Sequence, residues 1–454
     1  MSALDDLVSA LPPGMVLTDP DRLDKYRWDR AIDPGAEIPM AAVRAESTDH
    51  VVQTLRWASR HRVPVVPRGA GTGLSGGATA LADGIVLSTE RMRGIRIDAQ
   101  TRMAVVQPGL LNVEVKRAAA DAGLWYPPDP SSFEICSIGG NVATNAGGLC
   151  CVKYGVTSDY VLGLEVVLSD GAVVRLGGSR LKDVAGLSLT KLFVGSEGTL
   201  GVVTEITLRL MPPQPESHTI AAWFRTSAEA TAAILEIASK IRPSMLEYMD
   251  RVSINAVEDM LKMGLDRTAE ALIVARSDSW DPDGTEAKVL YEACINHNAI
   301  EVLTTNDAEE GEAFVTVRRM AIPAVERRGR LLLEDVGVPV PRLPDLVSGI
   351  EKIAAEHDVL IALIAHAGDG NTHPLIVFDP ADPMMEQRAQ LAFGEIMDLA
   401  IRLGGTITGE HGVGRLKRPW LESQIGHEVM GLSWRIKRAL DPLNILNPGS
   451  IFAK

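Results

Sequence analysis

The sequence predicts an α+β protein of more than one domain, and three observations carry that prediction. A chain of 454 residues exceeds what a single ordinary core serves. Between about residues 40 and 210 short apolar strands dominate, one pair of them joined by Asp170-Gly171. Beyond Pro212-Pro213 the texture changes to strands alternating with amphipathic helices, the pattern of an open antiparallel sheet with helices on one face.

The elements follow in order. Residues 47–62 form a helix, with Ser47 or Thr48 as N-cap and Val51, Val52, Leu55 and Ala58 on one face. Residues 63–67, 85–88 and 103–107 are short apolar strands. Residues 162–168 and 172–176 form a hairpin, because Asp-Gly supplies the positive φ angles of a tight turn. Residues 201–210 alternate as a further strand. The run Pro212-Pro213-Gln214-Pro215 marks a domain boundary, which divides the chain into 1–212, 213–405 and a motif-dense segment 406–454. In the middle part, 219–224 and 271–275 are strands, and 227–239 and 286–297 are helices.

Composition excludes several classes. A net charge of −14 opposes binding to a phosphate backbone, which needs a basic face. No apolar stretch reaches the roughly 18–20 residues of a membrane span. The first ten residues carry Asp5 and Asp6 and lack the basic and apolar regions of a signal peptide, so the chain reads as cytoplasmic. Cys136, Cys150, Cys151 and Cys294 have neither zinc-ribbon nor iron–sulfur spacing and read as buried free thiols. Any one-electron relay therefore belongs to another molecule.

Two regions carry chemistry. Pro67-Arg68-Gly69-Ala70-Gly71-Thr72-Gly73-Leu74-Ser75-Gly76-Gly77 follows a strand, and glycine at that density lets backbone N–H groups form an anion cradle. Gly71-x-Gly73-x-x-Gly76 also matches the dinucleotide fingerprint, with Glu90 standing where a ribose-binding acid would. Length opposes that reading, because residues 77–84 are too few for a crossover helix of ~10–12 residues. The second region is His366-Ala367-Gly368-Asp369-Gly370-Asn371-Thr372-His373, followed by Thr408-Gly409-Glu410-His411-Gly412-Val413-Gly414. The apolar run 359–365 delivers the first histidine from a buried strand, and a Gly-Asp-Gly turn can bring both imidazoles to one point. Two His and one carboxylate suit Zn²⁺, Mn²⁺ or Fe²⁺, although His and Glu on loops also serve as plain structure.

With three further segments the glycine run resembles the vanillyl-alcohol-oxidase superfamily of FAD-binding oxidoreductases. These are WYPPDPSS at 125–132 with Ser137–Asn141 and Thr144–Gly148, KLFVGSEGTLGVV at 191–203, and LNILNPGSI at 443–451. Within it the chain is most similar to the D-2-hydroxyacid branch: glycolate oxidase flavin subunits, D-lactate dehydrogenases and D-2-hydroxyglutarate dehydrogenases. The resemblance implies a two-subdomain FAD-binding fold over 1–212, a substrate cap over 213–405, and a C-terminal return over 406–454. It places FAD on Pro67, Arg68, Gly69, Ala70, Gly71, Thr72, Gly73, Leu74, Gly76 and Gly77; on Pro130, Ser131, Ser137, Gly139, Gly140, Asn141, Thr144, Gly147 and Tyr154; and on Glu197, Gly201, Val202 and Asn447. Covalently flavinylated relatives carry His or Cys in the glycine loop. This loop has neither, so the FAD is expected to be non-covalent.

The same resemblance implies that His366, His373 and Glu410 hold a divalent metal, that His411 is the catalytic base, and that Asn371 contacts substrate or FAD. Asp369 reads as a turn former. Arg318 is the match to the arginine that grips the substrate carboxylate, with Arg319 as its competitor. Where D-2-hydroxyglutarate enzymes carry a lysine, this chain has Leu333-Glu334-Asp335, which favours a monocarboxylate. The implied reaction is oxidation of a small D-2-hydroxy acid, D-lactate or glycolate, to the 2-oxo acid, with hydride passing to flavin N5. Its electrons leave to a separate acceptor: a quinone, a cytochrome, an electron-transfer flavoprotein or an iron–sulfur subunit. Peripheral membrane association and a homodimer are both compatible. Rival readings are D-2-hydroxyglutarate oxidation, a flavin-using transferase like alkyl-dihydroxyacetone phosphate synthase, and a non-catalytic flavoprotein subunit.

Overall fold

The computed structural model describes residues 3–31, 33–279 and 284–453, and its α+β architecture agrees with the sequence. Two compact units emerge. The first comprises Met1–Gly147, Val156–Pro213 and Glu410–Lys454; the second comprises Gly148–Gly155 and Gln214–Gly409. One break between the units follows Pro213, within the proline run 212–215. Two details differ from the sequence division: Gly148–Gly155 groups with the second unit, and the return begins at Glu410 rather than at residue 406.

The first unit contains two sheets. One has the order Val16–Leu17, Ala41–Arg44, Ile85–Ser88, Val65–Arg68; the other has the order Ile95–Asp98, Met103–Val106, Val202–Arg209, Val161–Val167, Val173–Gly177. The helix Thr48–His61 is capped by Ser47, whose hydroxyl accepts from His50 N–H, and it buries Val51, Val52, Leu55 and Ala58 as its period requires. These side chains share a core with Val43, Ile85 and Leu87 and with Ile445 and Leu446 of the C-terminal segment. Burying each of the Val, Leu and Ile side chains contributes about 1.5–3 kcal/mol. The return is therefore part of this core, and Val65 N–H donates to Ile445 O at 2.7 Å while Asn447 N–H donates to Val65 O at 2.8 Å.

Three expectations need correction. Val65–Arg68 and Ile85–Ser88 do pair in parallel. The whole glycine-rich connection makes the crossover, which has no helix in it. In the predicted hairpin only Gly171 has positive φ, at +80°; Asp170 serves through its side chain, accepting from Ala172 N–H at 2.8 Å. The thiols of Cys136 and Cys294 are buried, but Cys150 and Cys151 are only partly so.

The second unit holds an eight-stranded, wholly antiparallel sheet. Its order is Glu301–Thr305, His218–Phe224, Ala271–Ser277, Met245–Asp250, Leu360–His366, Asn371–Phe378, Arg330–Leu333, with Val336–Gly337 also on Asn371–Phe378. Trp223, Met249, Val274, Val315, Ile364, Leu375 and Val377 share its core, which also takes in Leu149 from the short excursion of Gly148–Gly155. The central strands Leu360–His366 and Asn371–Phe378 are buried along almost their full length, so polar residues placed on them are withdrawn from water.

Candidate active site

Register explains how the second unit gathers its polar residues. His366 pairs with Asn371 and Ile364 pairs with His373 across the hairpin, so both histidines share one face as diagonal neighbours. Their rings stand 5.1 Å apart, edge to face, and both residues are 3% exposed. On the other side of His366 its partner is Glu247, at the centre of the strand Met245–Asp250. His366 Nδ1 meets Glu247 Oε1 at 2.9 Å and Oε2 at 3.0 Å. His373 Nδ1 faces Glu334 O at 3.3 Å and lies 3.9 Å from Asp335 Oδ1. In each ring Nδ1 is turned toward protein, so Nε2 is the ring atom that could serve a metal.

Glu247 also holds Arg318. The arginine lies in the last turn of the helix Ala308–Arg319 and is 1% exposed, with Nε 2.8 Å from Glu247 Oε2, an ion pair whose angle falls outside hydrogen-bond geometry. Its Nη2 donates to none of the described residues. Arg319 instead reaches Glu312 at the surface, 2.8 Å away. Sequence reasoning missed Glu247. Its available signal was an acid in mid-strand between Leu246 and Tyr248, at a position whose neighbours are buried.

The turn 367–370 is shaped by glycine. Gly370 has φ +82°, and a Cβ there would lie 2.1 Å from Val338 O. Asp369 Oδ1 accepts from Asn371 N–H at 3.3 Å, the turn role expected of it. Asn371 is buried and its Oδ1 accepts from none of the described residues. Gly409 runs close beside it, since a Cβ on Gly409 would lie 2.3 Å from Asn371 Oδ1. Asp335 Oδ2 fixes this approach, accepting from Thr408 Oγ1 at 2.6 Å and Gly409 N–H at 3.1 Å. Glu410 and His411 follow Gly409 directly in the chain.

In the first unit, His411 Nε2 lies 3.4 Å from Glu410 Oε1. The glycine loop has the form of a cradle. Gly71 and Gly76 adopt φ of +74° and +75°, and a Cβ on Gly69 would lie 2.3 Å from Ser137 Oγ. The Arg68 guanidinium packs beneath Gly71 and donates from Nη1 to Trp28 O at 2.8 Å. The backbone N–H groups of Gly71, Thr72, Gly73 and Leu74 have no acceptor among the described residues. Such a row of open amides fits a pyrophosphate. Glu90 accepts from Tyr26 O–H at 2.8 Å, a structural contact for the acid that mimicked a ribose ligand.

Several residues assigned to the cofactor have side chains engaged with protein. Ser137 Oγ caps the helix Ile138–Thr144 and accepts from Ala70 N–H at 3.2 Å. Asn141 bonds Asn112 and Cys136. Asn447 Nδ2 donates to Gly77 O and Glu197 O. Glu197 accepts from Val413 and Gly414 N–H. Thr144 Oγ1 donates to Gly140 O. For these residues the backbone is what remains toward a cofactor. Tyr154 belongs to the second unit, where its hydroxyl meets Asp278, which also pairs with Lys153 at 2.5 Å. Pro130 is buried and Ser131 exposed.

An open-amide glycine cradle on a helix-free parallel crossover, in a chain whose second unit carries an antiparallel sheet, is the arrangement of a flavin-binding oxidoreductase. Comparison with known proteins agrees. Residues 39–177 match the FAD binding domain model, and residues 214–451 match the C-terminal domain model of FAD linked oxidases. The chain is 43% identical over 433 residues to glycolate oxidase subunit GlcD of Bacillus subtilis, covering 94% of this chain and 92% of that one. It is 35% identical to D-lactate dehydrogenase of Archaeoglobus fulgidus over the full length of both. The fold matches 4-ethylphenol oxidase from Gulosibacter chungangensis with a TM-score of 0.82 at 19% identity, over 99% of this chain and 96% of that one. The chain belongs to the FAD-linked oxidases, within the vanillyl-alcohol-oxidase superfamily that its motifs resembled, and is an FAD-dependent oxidoreductase. No helix among the described residues is long and apolar enough to cross a membrane.

Proposed function

We propose that this enzyme oxidises a small D-2-hydroxy monocarboxylate, D-lactate or glycolate, to the 2-oxo acid, using non-covalent FAD and a divalent metal. The observation that carries this reading is the buried Arg318–Glu247–His366–His373 array on adjacent elements of one sheet unit. The names of the two relatives point to the same substrate class.

Arg318 binds the substrate carboxylate through the face of its guanidinium that Glu247 does not engage. Glu247 keeps the His366 tautomer fixed and offsets the arginine's charge when substrate is absent. His366 and His373 supply nitrogen ligands for Zn²⁺, Mn²⁺ or Fe²⁺, and Glu410 the oxygen. His411 removes the hydroxyl proton, and Asn371 offers a buried amide to the substrate. When bound, the metal supplies positive charge that eases loss of that proton, and FAD supplies the hydride acceptor. Glu334 and Asp335, both fully buried beside His373, disfavour a second substrate carboxylate there. Electrons then pass to a separate acceptor.

The test is a panel of 2-hydroxy acids with a dye acceptor, on enzyme with measured flavin and metal content. D-lactate or glycolate should reduce the flavin and D-2-hydroxyglutarate should not. Full activity after exhaustive chelation would remove the metal from the reaction, and reduction by no 2-hydroxy acid would remove the substrate class.

A further inference from the structure

We propose that Glu197 is a positioning residue for the His411 segment, locking it to the cofactor loop within the first unit. The inference rests on the reading of His411 as base. Three segments far apart in sequence meet at this one carboxylate. Oε1 accepts from Val413 N–H at 2.7 Å, and Oε2 accepts from Gly414 N–H at 2.8 Å and from Ser450 Oγ at 3.2 Å. Glu197 is itself held rigidly: it is 7% exposed, has φ +50°, donates its N–H to Ala143 O, and accepts at its carbonyl from Asn447 Nδ2.

The glycine loop completes the lock from the other side. Ser75 Oγ donates to His411 O at 3.1 Å, and Ser75 O accepts from Arg415 and Leu416 N–H. His411 is thus gripped at its own carbonyl by the cofactor loop and two and three residues later by Glu197. Contact is close enough to demand glycine. A Cβ on Gly412 would lie 2.8 Å from Glu197 Oε1, and one on Gly414 would lie 2.0 Å from Ser75 O.

The chemistry of the side chain points to positioning rather than filling. Two successive N–H groups need two acceptor oxygens on one rigid fork, which glutamate offers and glutamine does not. A buried carboxylate is costly to keep, and burial pushes this one up to about 7. A neutral residue would fill the same space more cheaply, so the arrangement is explained by what it holds.

Steady-state kinetics with D-lactate and glycolate, FAD titration of deflavinated enzyme and thermal melts of E197Q, E197D, S75A and H411A test this. E197Q should bind FAD within about threefold of wild type and keep KM within about threefold. Its kcat should fall 10–100-fold, with a displaced acid limb in the kcat–pH profile. E197D should recover part of that loss, and S75A should show a smaller fall of the same kind. Wild-type kcat and pH profile in both E197Q and S75A would overturn the proposal. So would loss of FAD affinity in step with kcat, which would make Glu197 a cofactor ligand. If E197Q does not fold, S75A alone decides. Near-wild-type turnover in H411A would instead overturn the base assignment, independently of the Glu197 variants.

Discussion

At the scale of single residues, one carboxylate organises the second unit's site. Removing Glu247 leaves Arg318 as a buried cation without its ion partner and His366 without its orienting acceptor. E247A should therefore lose about 3–5 kcal/mol in urea unfolding. At the proposed metal site, E247Q should keep the fold yet hold a divalent metal 10–100-fold less tightly under chelator challenge, read by elemental analysis. The two adjacent arginines separate in the same way. R318K should lower kcat/KM by roughly 10–150-fold, the value of a charged hydrogen bond at about 1.5–3 kcal/mol. R319K, altering a surface pair, should leave it within about twofold. Arg318 and Arg319 are neighbours in sequence, and only the family resemblance favoured the first. The helix register, which buries Arg318 and not Arg319, separates them physically.

Elements contribute through turns and caps. The hairpin that carries both histidines depends on Gly370, whose positive φ and contact with Val338 O exclude a side chain. G370A should cost at least about 1–3 kcal/mol and lower activity with it, checked by parallel melts and assays. Asp250 caps the helix Arg251–Leu261, accepting from Ser253 N–H at 2.8 Å, and burial raises its pKa to about 6. The folded value lies above the unfolded one near 4, so the protonated form is favoured by folding. That stability is complete below about pH 4 and is lost as pH rises through 6. Asn caps as well as Asp without the charge. D250N should therefore gain on wild type by up to about 3 kcal/mol at pH 8, with the gap closing by pH 4. A constant difference across that range in chemical unfolding would contradict this account.

At the scale of the whole molecule, the first unit is closed by its own C-terminus. Ile445 and Leu446 sit in the core beside Val65 and Ile85, and Lys437 is buried with its ammonium donating to Thr199 O, Leu446 O and Asp441. L446A should cost about 2–5 kcal/mol in the unfolding of this unit. FAD at 100 times its dissociation constant should restore about 2.7 kcal/mol, since the ligand binds only the folded cradle. Calorimetry with and without FAD measures both shifts. Equal melts in the two conditions would remove FAD from the folded state altogether.

Much of this was legible in the chain. Strand and helix periods placed the elements they did identify to within two or three residues, because alternation and the 3.6-residue repeat are local. The glycine density before residue 77 announced a backbone cradle, since the positive φ of Gly71 and Gly76 favours glycine and a Cβ on Gly71 would lie 2.0 Å from Arg68 Nη2. The histidine motif and the Gly-Glu-His-Gly segment were visible for the same reason: their chemistry lies in residue types at short spacing.

What only tertiary structure decided lies between segments distant in sequence. Local spacing says nothing of which strand pairs with which, so Glu247 could not be placed opposite His366, 119 residues away. Nor could the parallel pairing of Val65–Arg68 with Ile85–Ser88 be read from a connection with no helix in it. Glu197 shows the division most clearly. Its sequence neighbours mark it as part of a flavin motif, while its carboxylate serves amides 216 and 217 residues further on. Residue type and local period determined the cradle, the histidine pair and the family; long-range pairing and burial decided which side chains hold them in place.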